Sequence, residues 1–201
     1  MSRQTRDKFL DTAEALFAER GFYGVSIAAV SDELGLTKQA LLHHFGSKEK
    51  LYGEVLARLS ARYEAILTAA NNELERPAGN LLGFMHALHQ AAAARPSEVR
   101  LLMRELLDNK NRADSAANWY LQPFLARLIA MVQAVPNWAE ATDAEALAFV
   151  YQLLGAVNYY AISAPTLTGI FGASTVVDMN AAFPATLEGL LMAGLRARKG
   201  G

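Results

Sequence analysis

The chain has 201 residues, of which 52% are hydrophobic, 19% are charged and none is cysteine. That composition supports a sizeable core and excludes a disulfide framework, a thiolate metal centre and a chain too polar to fold. The formal net charge is −1 and the first fifty residues balance seven Lys/Arg against seven Asp/Glu, so any nucleic-acid reading rests on where the positive groups sit rather than on their total.

The N-terminus turns amphipathic at once, with no apolar stretch before a cleavage site, so no secretory signal is expected. The lack of cysteine fits a reducing, cytoplasmic setting. Ala and Leu dominate and alternating β-branched runs are nearly absent, a pattern that reads as helix throughout. A first helix is predicted from about Arg3 to Arg20, with Phe9, Leu10, Ala13, Leu16 and Phe17 on its apolar face and Gly21 as its stop. Ser26 is placed to cap a short helix to about Leu34, with Ile27, Val30 and Leu34 inward and Gly35 ending it. Thr37 caps a third helix, about Lys38 to His44. In it Leu41 and Phe45 are spaced to face the core, and Lys38, Gln39 and His43 to face outward.

Gly46-Ser47 is the next stop and start. A long helix follows from about Lys48 to Glu75, with Leu51, Val55, Leu59, Tyr63, Ile66 and Ala70 as its stripe. Pro77 or Ala78 opens another helix, and Pro96-Ser97 the next, with Val99, Leu102, Met103 and Leu106 on one face. The polar stretch from Asn109 to Ser115 reads as a loop, Leu121 to Val135 as a helix, and Pro136-Asn137 as its break. Thr142-Asp143-Ala144-Glu145 is a capping-box signature opening a long apolar helix to about Ser163. The Gly-, Thr- and Ser-rich segment from Pro165 to Asp178 reads as a connector before a last helix that ends near Arg198.

Residues 26–45 carry the strongest signal. Two short helices joined by Gly35-Leu36-Thr37 have the spacing of a helix-turn-helix, whose second helix can lead into a major groove with its N-terminal residues. The run LDTAEALFAERGFYGVSIAAVSDELGLTKQALLHHFGSKEKL lies in a stretch from Arg6 to Leu51 that resembles the DNA-binding domain of the TetR (tetracycline repressor) family. The match is unbroken, with Ala13, Leu16-Phe17, Gly21-Phe22, Ser26-Ile27, Val30, Gly35-Leu36-Thr37, Leu41, His44-Phe45 and Ser47 to Leu51 in family order and spacing. The resemblance implies that Lys38, Gln39 and His43 contact bases, and that Ser26, Thr37, His44 and Lys48 contact phosphates, which fix register without reading sequence. Arg3 and Arg6 are placed to reach a neighbouring phosphate or the minor groove. Two positions depart from the family pattern: Leu42 stands where Tyr is usual and Val25 where Thr is frequent, so two hydroxyl contacts are lost.

The C-terminal part contains no nucleophile elbow, P-loop, dinucleotide fingerprint or HExxH. From Ala146 to Val177 there is no Asp, Glu, Lys or Arg. A membrane span is disfavoured there by Gln152, Gly155, Asn158 and Pro165 and by the lack of a flanking Lys/Arg cluster. The better reading is a helix with one face in its own core and one against a second subunit. The family pattern implies a four-helix dimer interface from the last two long helices, for which Leu147, Tyr151, Leu154, Gly155, Leu187, Leu191, Gly194 and Leu195 are the candidates. It also implies a pocket in the C-terminal bundle, for which Met85, His89, Met103, Trp119, Phe124, Tyr151 and Asn158 are the candidates; the aromatic and Met residues among them read first as plain core, whereas Asn158 calls for a specific polar partner. His86 and His89 share a helix face, but two ligands without a nearby carboxylate are too few for a metal.

The resulting expectation is an all-α protein with a three-helix helix-turn-helix domain at 1–47 and a helical ligand-binding and dimerisation domain at 48–201. It is read as a cytoplasmic, homodimeric repressor without cofactor or metal, released from a palindromic double-stranded operator by a small-molecule effector. The alternatives are a DNA-binding dimer whose C-terminal domain only dimerises or binds a protein, a helical enzyme lacking any clustered acid, base or nucleophile, and a peripheral membrane protein lacking a basic amphipathic face.

Overall fold

Hydroxyl and carboxylate caps set where the helices begin. The computed structural model describes residues 3–70, 76–108 and 120–197. In chain order the helices are α1 (Arg3–Arg20), α2 (Ile27–Glu33), α3 (Lys38–Phe45), α4 (Lys48–Ala70), α5 (Pro77–Ala94), α6 (Pro96–Asp108), α7 (Gln122–Gln133), α8 (Asp143–Phe171) and α9 (Ala173–Ala197), with a 3-10 turn at Pro136–Trp138. No strand is present among the described residues. The expected loop at 109–115, the C-terminal end of the long helix at Glu75, and Arg198 lie outside them.

The chain packs as two compact units, residues 1–62 with 97–120 and residues 63–96 with 121–201. The first unit therefore takes in α6 and most of α4, beyond the boundary at 47 that the sequence suggested. In it Phe9, Ala13 and Phe17 of α1 are fully buried. Phe9 meets Phe45 of α3 edge-on at 6.3 Å, and Phe17 meets Tyr52 of α4 at 4.8 Å. Burying each Phe side chain contributes about 1.5–3 kcal/mol. Gly21, Gly35 and Gly46 each take a positive φ, 71°, 63° and 77°, which ends a helix where another residue type would be strained. Ile27 and Leu34 are only half-buried, and Val30 and Ser31 are the residues that α2 turns fully inward.

On α6 the inward face is not the one expected. Val99, Leu101 and Leu102 are buried, but so are Glu98 and Glu105, while Leu106 is exposed. The two carboxylates are inward because basic and hydroxyl groups meet them: Arg62 Nε lies 3.0 Å from Glu98, and the Tyr52 hydroxyl donates to Glu105 at 2.6 Å. Arg104 donates to the carbonyls of Ala18 and Glu19 at 3.0 and 2.6 Å. These belong to the last turn of α1, where carbonyls lack helical partners.

The second unit is built from the end of α4 with α5, α7, α8 and α9. Phe124 packs on Tyr63 and Phe84 at 5.6 and 5.8 Å, and Leu128, Val132, Leu153, Val157 and Leu191 are buried around them. The capping box at the start of α8 is complete: Thr142 Oγ1 accepts from the Glu145 amide, and Glu145 accepts from the Thr142 amide at 2.8 Å. α8 is long and apolar enough, by length and composition, to cross a membrane. Ala146, Phe149, Val150, Leu153 and Val157 are nevertheless buried in this unit, as in the core helix of a bundle.

The expected connector at 165–178 is mostly helix. α8 runs through Pro165 to Phe171 and α9 starts at Ala173, with Gly172 at φ 84° making the break. Two of the hydroxyl residues that suggested a loop bond back to helix carbonyls instead. Thr168 donates to Ala164 and Thr175 to Phe171, a local alternative open to short hydroxyl side chains.

The proposed interface residues divide. Tyr151 is 49% exposed and Gly155 is exposed, while Leu147 and Leu154 are half-buried. Leu187, Leu191 and Leu195 are buried in their own unit and form the inward stripe of α9. Gly194 serves its own fold: a Cβ there would overlap the Phe149 ring. Trp138 stacks on that ring at 4.9 Å and donates from its indole N–H to the Gly194 carbonyl at 3.3 Å. Gly194→Ala is expected to destabilise the protein by about 1–3 kcal/mol through overpacking. Thermal melts would show this, with part of the loss recovered in Gly194→Ala/Phe149→Leu.

Candidate nucleic-acid interface

Thr37 opens α3. Its side chain accepts from the Ala40 amide at 3.2 Å, and the backbone at Thr37 is extended. Ala40, Leu41 and Phe45 are buried beneath α3, leaving Lys38, Gln39 and His43 exposed on its outer side. The result is a short rod held from below, presenting one ammonium, one amide and one imidazole.

Ser26 caps α2 in the same way, accepting from the Ala29 amide at 3.0 Å, and Ser47 accepts from the Lys50 amide at 3.2 Å. In each case the cap uses a lone pair of the hydroxyl and leaves its hydrogen free to donate outward. Both Ser26 and Thr37 are exposed. Thr37→Ala is expected to cost about 1 kcal/mol of stability by removing a cap, whereas Thr37→Ser should stay near the parent in a denaturant melt.

Lys48 lies with Nζ 4.3 Å over the Phe22 ring. Burial lowers its pKa, with Glu49 pulling the other way. An anion brought to this ammonium would oppose that lowering. His44 is half-buried against Phe9 at 5.9 Å, and its Nε2 is enclosed without a hydrogen-bond partner among the described residues. Arg6 is already engaged, paired with Glu54 and 5.3 Å over Phe45. Leu42 is half-buried and Val25 is buried, so both departures from the family pattern serve packing.

A family model described as bacterial regulatory proteins, tetR family, matches residues 9–55, the stretch that builds this rod and its supports. The N-terminal part of the chain is a tetR-family domain. Among curated relatives, the HTH-type transcriptional repressor KstR2 of Mycolicibacterium smegmatis is 34% identical over 92 residues, which cover 44% of this chain and 45% of that protein. The HTH-type transcriptional repressor AcnR of Corynebacterium efficiens is 35% identical over 77 residues, 38% of this chain and 40% of that protein. The chain thus matches less than half the length of these relatives. The structure of the ketosteroid transcriptional regulator KstR2 of Mycobacterium tuberculosis superimposes with a TM-score of 0.66 at 19% identity, covering 94% of this chain and 95% of that one. This likeness is one of fold and covers residues of both units.

The pocket candidates are dispersed. Met85, His89, Phe124 and Asn158 are buried in the second unit, Tyr151 is largely exposed, Met103 belongs to the first unit, and Trp119 lies outside the described residues. Sequence reasoning missed the polar set Arg62, Glu98, Arg104 and Glu105. The available signal was a pair of glutamates seven apart, hence on one helix face, beside Val99 and Leu102.

Proposed function

We propose that this chain is a transcriptional repressor that binds a palindromic DNA operator as a two-fold dimer and leaves it when a small molecule binds the second unit. The observation that carries the reading is the outer side of α3, where Lys38, Gln39 and His43 are exposed over a buried Ala40-Leu41 and Phe45 anchor. Gln can bond adenine through both its amide groups and Lys can donate to guanine. Ser26, Thr37 and Lys48 supply donors for the flanking phosphates, which hold the rod in register. The repressor names of the curated relatives support the same reading.

One such rod reads only a few base pairs, and two copies related by a two-fold axis read both halves of a palindrome. A surface suited to pairing is the outward stripe of Ala144, Ala148, Tyr151, Gly155 and Tyr159 on α8 with Leu190 and Ala193 on α9, all exposed and uncharged. Release by an effector requires that α4 or α6 move. α4 is one continuous helix whose residues to Arg62 belong to the first unit and whose residues from Tyr63 belong to the second. The Arg104 bonds to the end of α1 would carry a shift of α6 into the three-helix domain. A coupling of about 1–3 kcal/mol is enough to change affinity 5- to 150-fold.

The test is selection of duplexes from a random pool by the purified full chain, followed by titration of the winner at several salt concentrations and sedimentation of the complex. The reading expects an inverted repeat bound by two copies. A monomer that selects no sequence would end it.

A further inference from the structure

Two imidazoles sit one turn apart on α5. His86 and His89 each have a buried Nε2 without a hydrogen-bond partner among the described residues. His89 is 9% exposed. Its ring stacks on Phe183 of α9 at 4.9 Å and 22°, and leans on Tyr160 of α8 at 5.2 Å. Tyr160 and Phe183 stack on each other at 4.0 Å, and the Tyr160 hydroxyl donates to Asn180 Oδ1, which fixes that ring. Buried polar atoms nearly always have partners, so two unpartnered imidazole nitrogens one turn apart, one of them on a ring seated in a fixed aromatic stack, point to a ligand.

The surroundings decide its chemistry. α5 contains no Asp, Glu, Lys or Arg, and neither does the stretch 146–177. A cation would meet no carboxylate there. An anion would meet two groups that can each take up a proton and donate. Resting on the reading that the second unit takes an effector, we propose that His86 and His89 are the polar end of that site and hold the carboxylate of an organic acid whose flat apolar body lies against Tyr160 and Phe183.

Binding then takes up protons. Burial first, and His86 second, lower the pKa of His89 in the free protein, and a carboxylate opposes both. Affinity should therefore rise as pH falls from 8 to 6. Among the described residues, the other ionisable groups on the helices packed against α5 are few. α7 carries Arg127, tied to Glu64. α8 carries Tyr160, which burial holds neutral, exposed Tyr151 and Tyr159, and Asp143 and Glu145 in its first turn. α9 carries exposed Asp178, Glu188 and Arg196.

Calorimetric titration of the full chain with naphthalene-2-carboxylate, its neutral methyl-ketone analogue, the matching ammonium, and zinc alone tests this. The carboxylate should bind best, and His86→Gln and His89→Gln, each first shown to melt like the parent, should weaken it roughly 10- to 100-fold, the range of a hydrogen bond to a charged group. His86→Gln keeps the test open should the more buried His89 variant fail to fold. Equal binding of acid and ketone, no binding of any arm, zinc binding lost in both variants, or an affinity flat between pH 6 and 8 would each overturn the site. Operator binding read in the same samples separates the two ideas. An acid that binds through both histidines yet leaves DNA affinity unchanged removes the effector switch and keeps the site, whereas release by another molecule with no acid bound does the reverse.

Discussion

Gln39→Ala is expected to weaken binding to the selected operator by about 2–6 kcal/mol, roughly 30-fold to 10⁴-fold, while leaving affinity for random duplex nearly unchanged. A well-placed bidentate contact discriminates by about 1–3 kcal/mol, and a two-fold dimer makes it twice. Gln39 is exposed on α3, one position before the buried Ala40, so its truncation removes the proposed base contact without opening the core. Lys48→Ala is the contrasting case. It should weaken specific and random duplex alike and reduce the salt slope by nearly one unit per subunit, because the proposed contact of this ammonium is to phosphate, which carries no sequence information. Fluorescence anisotropy on both duplexes at three salt concentrations separates the two. Equal losses on both DNAs for Gln39→Ala would remove that residue from base readout.

The N-terminal helices were legible because their signals are local. Ser26, Thr37 and the glycines at 21, 35 and 46 act within a few residues of themselves, and the structure uses the two hydroxyls as caps and the glycines as left-handed stops. Leu41 and Phe45 follow from the helical period, and the outward direction of Lys38, Gln39 and His43 follows from theirs. The C-terminal half was harder because its signals depend on packing. α9 has apolar residues on more than one side, so the period alone could not say which stripe meets its own core. Leu187, Leu191 and Leu195 took that place and left Leu190 51% exposed. Pro165 and the hydroxyl-rich run after it suggested a loop, but Thr168 and Thr175 bond back to carbonyls four residues earlier, and the break falls at Gly172. His44 shows the same limit on a smaller scale. A motif position fixes the residue type, but packing against the Phe9 ring decides how far the imidazole is exposed, and His44 is left half-buried.

Arg62→Ala should cost the first unit about 2–4 kcal/mol and lower its melting temperature accordingly. Arg62 bridges two helices: its guanidinium lies 2.7 Å from Glu14 of α1 and 3.0 Å from Glu98 of α6. The Glu98 side chain is 8% exposed and that of Glu14 15%, against 25% for Arg62. Removing the cation leaves two poorly solvated carboxylates facing one another. Breaking one side of a fully buried pair costs about 3–5 kcal/mol, and the partial exposure of Arg62 trims that figure. Arg62→Lys should recover only part of the loss, since a single ammonium cannot offer two separate edges to two carboxylates. Arg62→Met/Glu98→Leu, which removes the buried charge together with its partner, should recover more. Calorimetric melts of the three variants decide it. An alanine variant melting with the parent would mean that hydrophobic packing of α6 fixes it to α1 without this bridge. If the bridge does hold, operator affinity measured well below the melting point should also fall in Arg62→Ala, because α1 supports α3 through Phe9 and Phe45 and is itself tied to α6 by Arg62 and Arg104.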